Sequence, residues 1–200
     1  MKNNLMMRWL SRFFVAPFLL ATLLLVSCGD DPEPPNEEEL ITTLIVTLTS
    51  DGGSPVTLKF YDPDGSGPEE GQFTYTPIAP GTSPAALLAM NTTYLATIQL
   101  LDESKSPTED ITEEIEEEAD EHLFCFMQNV SGMTISYADT EADYLSSGSL
   151  PVGLKTTWST TTAGSGTVQI TLRHQPGVKN GTCPGGGDTD IEVTFNVVVQ

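Results

Sequence analysis

From Leu40 to the end of the chain, hydrophobic and polar residues alternate along many short segments. Because neighbouring side chains of a β-strand point to opposite faces, this period of two predicts half-buried strands. Gly, Pro, Asp and Asn between the segments favour turns, and we count about nine strands. Their alternating or apolar positions are Leu44, Val46, Leu48; Val56, Leu58, Phe60; Phe73, Tyr75; Tyr94, Ala96, Ile98, Leu100; Phe124, Phe126; Met133, Ile135, Tyr137; Leu154, Trp158; Val168, Ile170, Leu172; and Ile191, Val193, Phe195, Val197, Val199.

Many short strands within one domain predict an all-β fold. We expect residues 40–200 to form an antiparallel β-sandwich of immunoglobulin-like type. A closed β-barrel is the alternative architecture.

One segment departs from the alternation and predicts a helix. Thr108 is a suitable N-cap, and Ile111, Ile115 and Ala119 recur at the spacing of one helix face. Most other positions up to Glu121 are acidic, and repulsion between like charges makes such a helix weak on its own. We therefore expect an acidic crossover helix that packs its narrow apolar stripe on the edge of the sandwich.

The first 27 residues have the pattern of an export signal. Basic residues (Lys2, Arg8, Arg12) precede an apolar run over 13–26. The run is shorter than the ~20 residues that a transmembrane helix, the alternative interpretation, requires. The sequence Leu-Val-Ser-Cys ending at Cys28 resembles the lipobox of bacterial lipoproteins, which implies that Cys28 is acylated. Residues 1–27 would then be the signal peptide, and residues 28–39, rich in Pro and acid, an extended tether.

Two features resemble lipoproteins of Bacteroidota. The acidic run after Cys28 resembles their surface-export tag. The mature region, particularly residues 108–122 and 172–177, resembles a family of small acidic surface lipoproteins of uncharacterised function, some of which are labelled as type 1 periplasmic binding folds. The resemblance implies a lipid-anchored protein of the outer membrane that faces the cell exterior, with the periplasmic face as the alternative. It also implies a TonB-dependent outer-membrane transporter as partner.

The charge balance narrows the classes of partner. The chain has 8 basic and 28 acidic residues, and a net charge of −20. Such a surface repels nucleic acid and attracts cations or a basic partner. A nucleophile elbow, a P-loop and a dinucleotide-binding fingerprint are all absent from the sequence. We therefore expect a protein that is not an enzyme.

The chain has two histidines, His122 and His174. His174 continues the inward series of Val168, Ile170 and Leu172, and His122 follows Glu118 by four residues. Imidazole and carboxylate groups suit a divalent transition metal such as zinc or copper. A metal site built from His122, His174, Glu118 and Asp188 is therefore one hypothesis, with Glu121 and Asp190 as further carboxylates. The alternative is that each histidine has a structural role.

Two other features offer candidate sites. Asp62, Asp64 and Ser66 alternate like the first ligands of a calcium loop, which Glu69 or Glu70 could close. Because Pro63 and Gly65 lie among them, a hairpin turn is the alternative. Cys125 and Cys183 remain after Cys28, and in an oxidising compartment they can form a disulfide. Cys125 as a buried free thiol is the other interpretation.

Two functions follow from these features. The first is a non-catalytic lipoprotein that captures a ligand, such as a transition metal or a metal complex, for nutrient uptake. The second is a structural or adhesive β-sandwich that contacts proteins or glycans, with Tyr61 and Tyr144 as exposed contacts. In either case Arg173, His174 and Lys179, which lie close together in this acidic chain, are expected to dock against the acidic helix.

Overall fold

The computed structural model describes residues 40–65, 70–81 and 83–200. The predicted signal peptide, Cys28, the tether, Ser66 and Glu69 lie outside these ranges. The described residues belong to one compact unit. Its strands are β1 (Thr43–Thr49), β2 (Val56–Tyr61), β3 (Gln72–Thr76), β4 (Ala86–Leu88), β5 (Thr93–Asp102), β6 (Glu109–Asp110), β7 (His122–Gln128), β8 (Met133–Tyr137), β9 (Lys155–Thr160), β10 (Gly164–His174) and β11 (Asp188–Val199). Helix α1 spans Ile111–Glu117, and a 3-10 turn spans Glu141–Asp143.

Two sheets form a β-sandwich, which confirms the predicted all-β fold. The larger sheet has the order β3-β2-β1-β5-β9-β8, with β6 added beside β5, and the smaller sheet has the order β4-β11-β10-β7. The described residues form eleven strands rather than about nine. The additional strands β4 and β6 have three and two residues, which is too short to show an alternating pattern.

One strand pair departs from the antiparallel arrangement of the predicted sandwich. Strand β4 pairs with β11 in parallel, through Ala86 and Val197 to Leu88 and Val199. The other strand pairs are antiparallel among the described residues.

The alternating residues of both sheets meet in the core. On β10, Val168, Ile170 and Leu172 are completely buried, and the polar residues between them face outward. The largest buried side chain is Trp158 of β9, whose indole N–H donates to the Thr156 hydroxyl at 2.9 Å. A buried indole therefore keeps a hydrogen-bond partner, as stability requires.

Helix α1 begins later than the sequence indicated. Thr108 is not its N-cap, because Glu109 and Asp110 pair with β5 and keep the backbone extended. Asp110 is the N-cap instead, and its Oδ1 accepts a hydrogen bond from the Thr112 N–H at 3.0 Å. The predicted apolar stripe is confirmed, since Ile111, Ile115 and Ala119 are all buried. Within the described ranges, no helix has the length and apolar character needed to cross a bilayer.

Candidate metal site

The two histidines lie side by side at one end of the smaller sheet. His122 is the first residue of β7 and His174 the last of β10, and the two are direct partners in the antiparallel ladder. Their rings stack with centroids 4.6 Å apart. The next inward-facing pair is Phe124 and Leu172, so the period-two pattern carries both imidazoles into the interior. Both histidines are buried, as the alternation predicts for His174.

Glu118 joins the two histidines from the end of helix α1. One ligand atom from each of Glu118, His122 and His174 lies within 4.8 Å of the others. Elsewhere in the described chain, no group of three His, Cys, Asp or Glu side chains meets this criterion. We call these three residues the helix-end site. The chain turns sharply here, because the N–H groups of Glu121 and His122 both donate to the Glu118 carbonyl.

The hydrogen bonds of His122 determine its tautomer. Its Nδ1 lies 3.2 Å from the carbonyl oxygen of Glu118, and a carbonyl can only accept, so Nδ1 carries the proton. Nε2 then keeps the lone pair. Histidines that bind metals ordinarily make such a bond with the second ring nitrogen. Burial away from water lowers the pKa of His122 from 6.5 to about 4, so the ring is neutral at neutral pH, as coordination requires.

Two carboxylates lie beside the rings. Asp190 Oδ2 is 3.9 Å from His122 Nε2, and Glu121 Oε2 is 3.4 Å from His174 Nε2. Of the two aspartates that the hypothesis considered, Asp190 is the one that lies beside a ring. Asp188 pairs with His174 along the backbone but is exposed and does not belong to the group of three.

A β-bulge explains why Asp190, rather than Asp188, lies beside His122. Leu172 is opposite Ile191 and Arg173 is opposite Thr189, so Asp190 is the extra residue on β11. A bulge redirects the side chains around it, and here the Asp190 side chain points inward toward His122. The sequence has no Gly or Pro at this point, so its pattern did not predict the bulge.

A buried ion pair holds the β10–β11 loop against the helix end. Lys179 Nζ donates to the Ala119 carbonyl at 2.5 Å and lies 3.0 Å from Glu141 Oε1. The two side chains are 2% and 7% exposed. Burial lowers the pKa of Lys179, while the hydrogen bond that its ammonium donates to the Glu141 carboxylate opposes that change. Glu141 also accepts hydrogen bonds from the N–H groups of Ser149 and Leu150.

The expected docking of the basic cluster on the helix is confirmed for Lys179 and His174. Arg173 behaves differently, because its guanidinium donates to the Thr189 hydroxyl and to the Gly187 carbonyl. Sequence reasoning missed the role of Glu141, which is 38 residues from Lys179 and has no local signal that marks it as buried.

The predicted disulfide joins Cys125 of β7 to Cys183 of the β10–β11 loop. The sulfurs are 2.04 Å apart and the Cα atoms 5.7 Å apart. The loop is therefore bound covalently to the strand that begins with His122. Gln175, next to His174, also donates its N–H to the Glu121 carbonyl at 2.6 Å.

The proposed calcium loop has the contacts of a turn in its described part. Asp62 Oδ1 accepts a hydrogen bond from the Asp64 N–H at 3.4 Å, and the Asp62 carbonyl accepts from the Gly65 N–H at 3.4 Å. We call residues 62–65 the Asp62 turn. Such bonds are typical of an Asx turn. Ser66 and Glu69 lie outside the described residues and Glu70 is exposed, so the calcium site stays a prediction.

The two tyrosines proposed as exposed contacts are half-buried, so that expectation is wrong. The hydroxyl of Tyr144 donates to Asp139 Oδ2 at 2.8 Å, and the Lys155 ammonium lies 5.0 Å from the centre of its ring. The Lys59 ammonium lies 5.4 Å from the centre of the Tyr61 ring. Contacts within the protein therefore cover much of both rings.

Comparison with protein-family models, with curated proteins and with solved structures finds no match for this chain.

The helix-end site has the donor chemistry of a transition-metal site. Zinc lies about 2.1 Å from nitrogen and oxygen ligands, which places tetrahedral donors roughly 3.4 Å apart. In the structure the three donor atoms lie within 4.8 Å of one another, a larger separation than a bound zinc ion would require. Glu118 has room to rotate toward an ion because its side chain is 45% exposed. The two imidazoles must also tilt out of their stacked arrangement, because an imidazole nitrogen binds a metal in the plane of its ring.

Proposed function

We propose that the protein is a non-catalytic outer-membrane lipoprotein that captures a divalent transition metal ion through the helix-end site. The observation that carries this proposal is the convergence of Glu118, His122 and His174 within 4.8 Å. The three residues come from the C-cap of α1, the start of β7 and the end of β10. Two imidazoles and a carboxylate are a ligand set that suits zinc, copper and nickel.

The surroundings of the site favour a cation. Asp190 and Glu121 supply further oxygen atoms next to His122 and His174. The chain as a whole has a net charge of −20, and a negative surface raises the local concentration of cations. The exposed side of the site is formed by acidic side chains, since Glu118 and Glu121 are 45% and 39% exposed while His122 is buried. We infer that an ion enters between these two glutamates.

The signal sequence and the acidic tether supply the rest of the proposal. Acylation of Cys28 would hold the domain at the outer membrane on residues 28–39, facing the cell exterior. A metal ion or metal complex taken from solution would then pass to a TonB-dependent transporter in the same membrane. Labelling of cells with radioactive palmitate tests the anchor, and we expect label on the wild type and none on Cys28→Ser.

Calorimetric titration with zinc and copper tests the metal site. The chain should begin at Gly29, which removes the lipid but keeps the whole compact unit. We expect saturable one-site binding that His122→Ala/His174→Ala loses. Asp51→Ala/Asp64→Ala is the matched control, because it removes two exposed acids from another part of the surface. Equal heat from all three proteins would mean diffuse attraction to the acidic surface and would refute the site.

A further inference from the structure

A second surface, on the opposite side of the smaller sheet from the core, has the shape of a binding groove. Two cavities of about 260 and 200 Å³ lie on this outer face, and both are lined by Met127 and Gln169. Together they follow β10 from Thr167 to Arg173. At about 3.3 Å per residue of strand, the groove is roughly 20 Å long.

One end of the groove is built by the crosslinked loop. The Cys125–Cys183 disulfide and Pro184 line the larger cavity together with Arg173 and Glu192. Because the disulfide fixes the loop to β7, this end is formed before any ligand arrives. A preformed site loses less conformational entropy on binding than one that must be ordered.

The lining combines amides and hydroxyls with the apolar side chains of Phe126, Met127 and Pro184 and with the disulfide. Gln169 and Thr194 make no side-chain hydrogen bond to other described residues. The carbonyl oxygen of the Asn129 amide accepts from the Thr167 N–H at 2.7 Å, while its NH₂ group points to no described acceptor. Met127 is 69% exposed in the middle of the groove. The groove thus offers unused donors and acceptors on both sides of an apolar surface.

We propose that this groove binds a neutral oligosaccharide. A sugar ring has a C–H face, which can pack on Met127, and hydroxyls that both donate and accept, as amides and Thr hydroxyls do. The lining is uncharged apart from Arg173 and Glu192, whose opposite charges balance. The net charge of −20 repels an anionic glycan.

The position of the groove disfavours a peptide. Extended peptides bind sheets by adding a strand at an edge, where backbone N–H and C=O groups are available. This groove lies on the face of the sheet over β10, whose backbone already pairs with β7 and β11 on its two sides. Only side chains are available there for hydrogen bonding.

Binding to a glycan array that carries neutral, sialylated and sulfated oligosaccharides tests the proposal. We expect the chain beginning at Gly29 to retain neutral glycans, and Met127→Ala/Gln169→Ala to lose about tenfold or more of the affinity for the best of them. The matched control is Leu95→Ala/Gln72→Ala, which removes an exposed apolar residue and an exposed glutamine from the larger sheet. The control should bind as the wild type does.

Three results would overturn the proposal: retention of no neutral glycan, a preference for sulfated or sialylated glycans, or equal binding by wild type and Met127→Ala/Gln169→Ala. Matching circular dichroism spectra show that the exposed substitutions leave the fold intact. Because the groove is separate from the helix-end site, zinc titration of the same variant should be unchanged, and each proposal can fail alone.

Discussion

The helix-end site and the Asp62 turn are both acidic regions that the sequence offers as cation sites, yet they are held in different ways. The helix-end site joins residues from α1, β7 and β10, and the β10–β11 loop closes on it. The hydrogen bonds within the Asp62 turn join residues two and three positions apart, and the Asp62 N–H also donates to the carbonyl of Thr42, the residue before β1, at 2.8 Å. The first region therefore depends on the packing of three elements and a loop, and the second on local hydrogen bonds and one link to the neighbouring chain.

This difference has a physical consequence for each region. Ligands that come from separate elements stay in place only if the elements are anchored to one another, so damage to a distant anchor should disturb the helix-end site. An exposed side chain such as that of Asp64 contributes little to stability, and the effect of its loss should remain local.

The largest expected effect comes from removing the buried cation that anchors the helix end. Lys179→Met leaves the Glu141 carboxylate buried without its partner, and we expect a loss of about 3–5 kcal/mol in the free energy of unfolding. Urea denaturation measures it. The double variant Lys179→Met/Glu141→Gln should recover part of the loss, because no charge is left buried. A loss below about 1 kcal/mol in the single variant would show that the pair is not buried as described.

Removing the disulfide should have the next largest effect. The crosslink closes a loop between residues that are 58 positions apart, and its loss from Cys125→Ala/Cys183→Ala should cost about 3–4 kcal/mol. Chemical denaturation under non-reducing conditions measures this cost. Because the β10–β11 loop also borders His174, zinc affinity should fall in the same variant, whereas an unchanged affinity would mean that the loop does not support the site.

The stability contributed by His122 should depend on pH. Its pKa is 6.5 when unfolded and about 4 when folded because of burial, so between these values the unfolded chain binds more protons. The contribution is complete above pH 6.5 and is lost as the pH falls to about 4, by about 3 kcal/mol in total. Urea denaturation in EDTA at several pH values should show this loss in the wild type. His122→Gln should lack the loss due to His122 and keep only the pH dependence that the carboxylates cause. If the free energy of unfolding depended on pH identically in the variant and the wild type, the prediction would be contradicted.

The smallest effect is expected at the Asp62 turn. Asp64→Ala leaves the backbone N–H that donates to Asp62 in place, and the residue is exposed. The free energy of unfolding should change by less than about 0.5 kcal/mol, with no change in zinc affinity. A loss of several kcal/mol in the free energy of unfolding would contradict the expected difference between the Asp62 turn and the helix-end site.

The sequence correctly predicted the features that depend on periodicity, namely which side chains of a strand or helix are buried. The alternation on β10 placed His174 inside the sandwich, and the spacing of Ile111, Ile115 and Ala119 gave the buried stripe of α1. These predictions succeeded because a period of two or of nearly four assigns a side chain to a face without knowledge of its partners.

The features that the sequence did not predict depend on contacts between distant segments, and no local pattern of residues indicates such contacts. The bulge that turns Asp190, and not Asp188, toward His122 arises from the register between β10 and β11. The helix begins at Ile111 because β6 pairs with β5. Lys179 lies next to Glu141 because of tertiary packing. Each of these errors lies where a contact between distant segments overrides a local preference.

The most direct test of the central claim is anomalous diffraction at the zinc edge from crystals of the chain beginning at Gly29, grown with zinc. We expect one strong peak bounded by Glu118, His122 and His174, and none at this position in crystals of His122→Ala/His174→Ala. Peaks only at exposed carboxylates, such as that of Asp64, with none between the two imidazoles, would contradict the account.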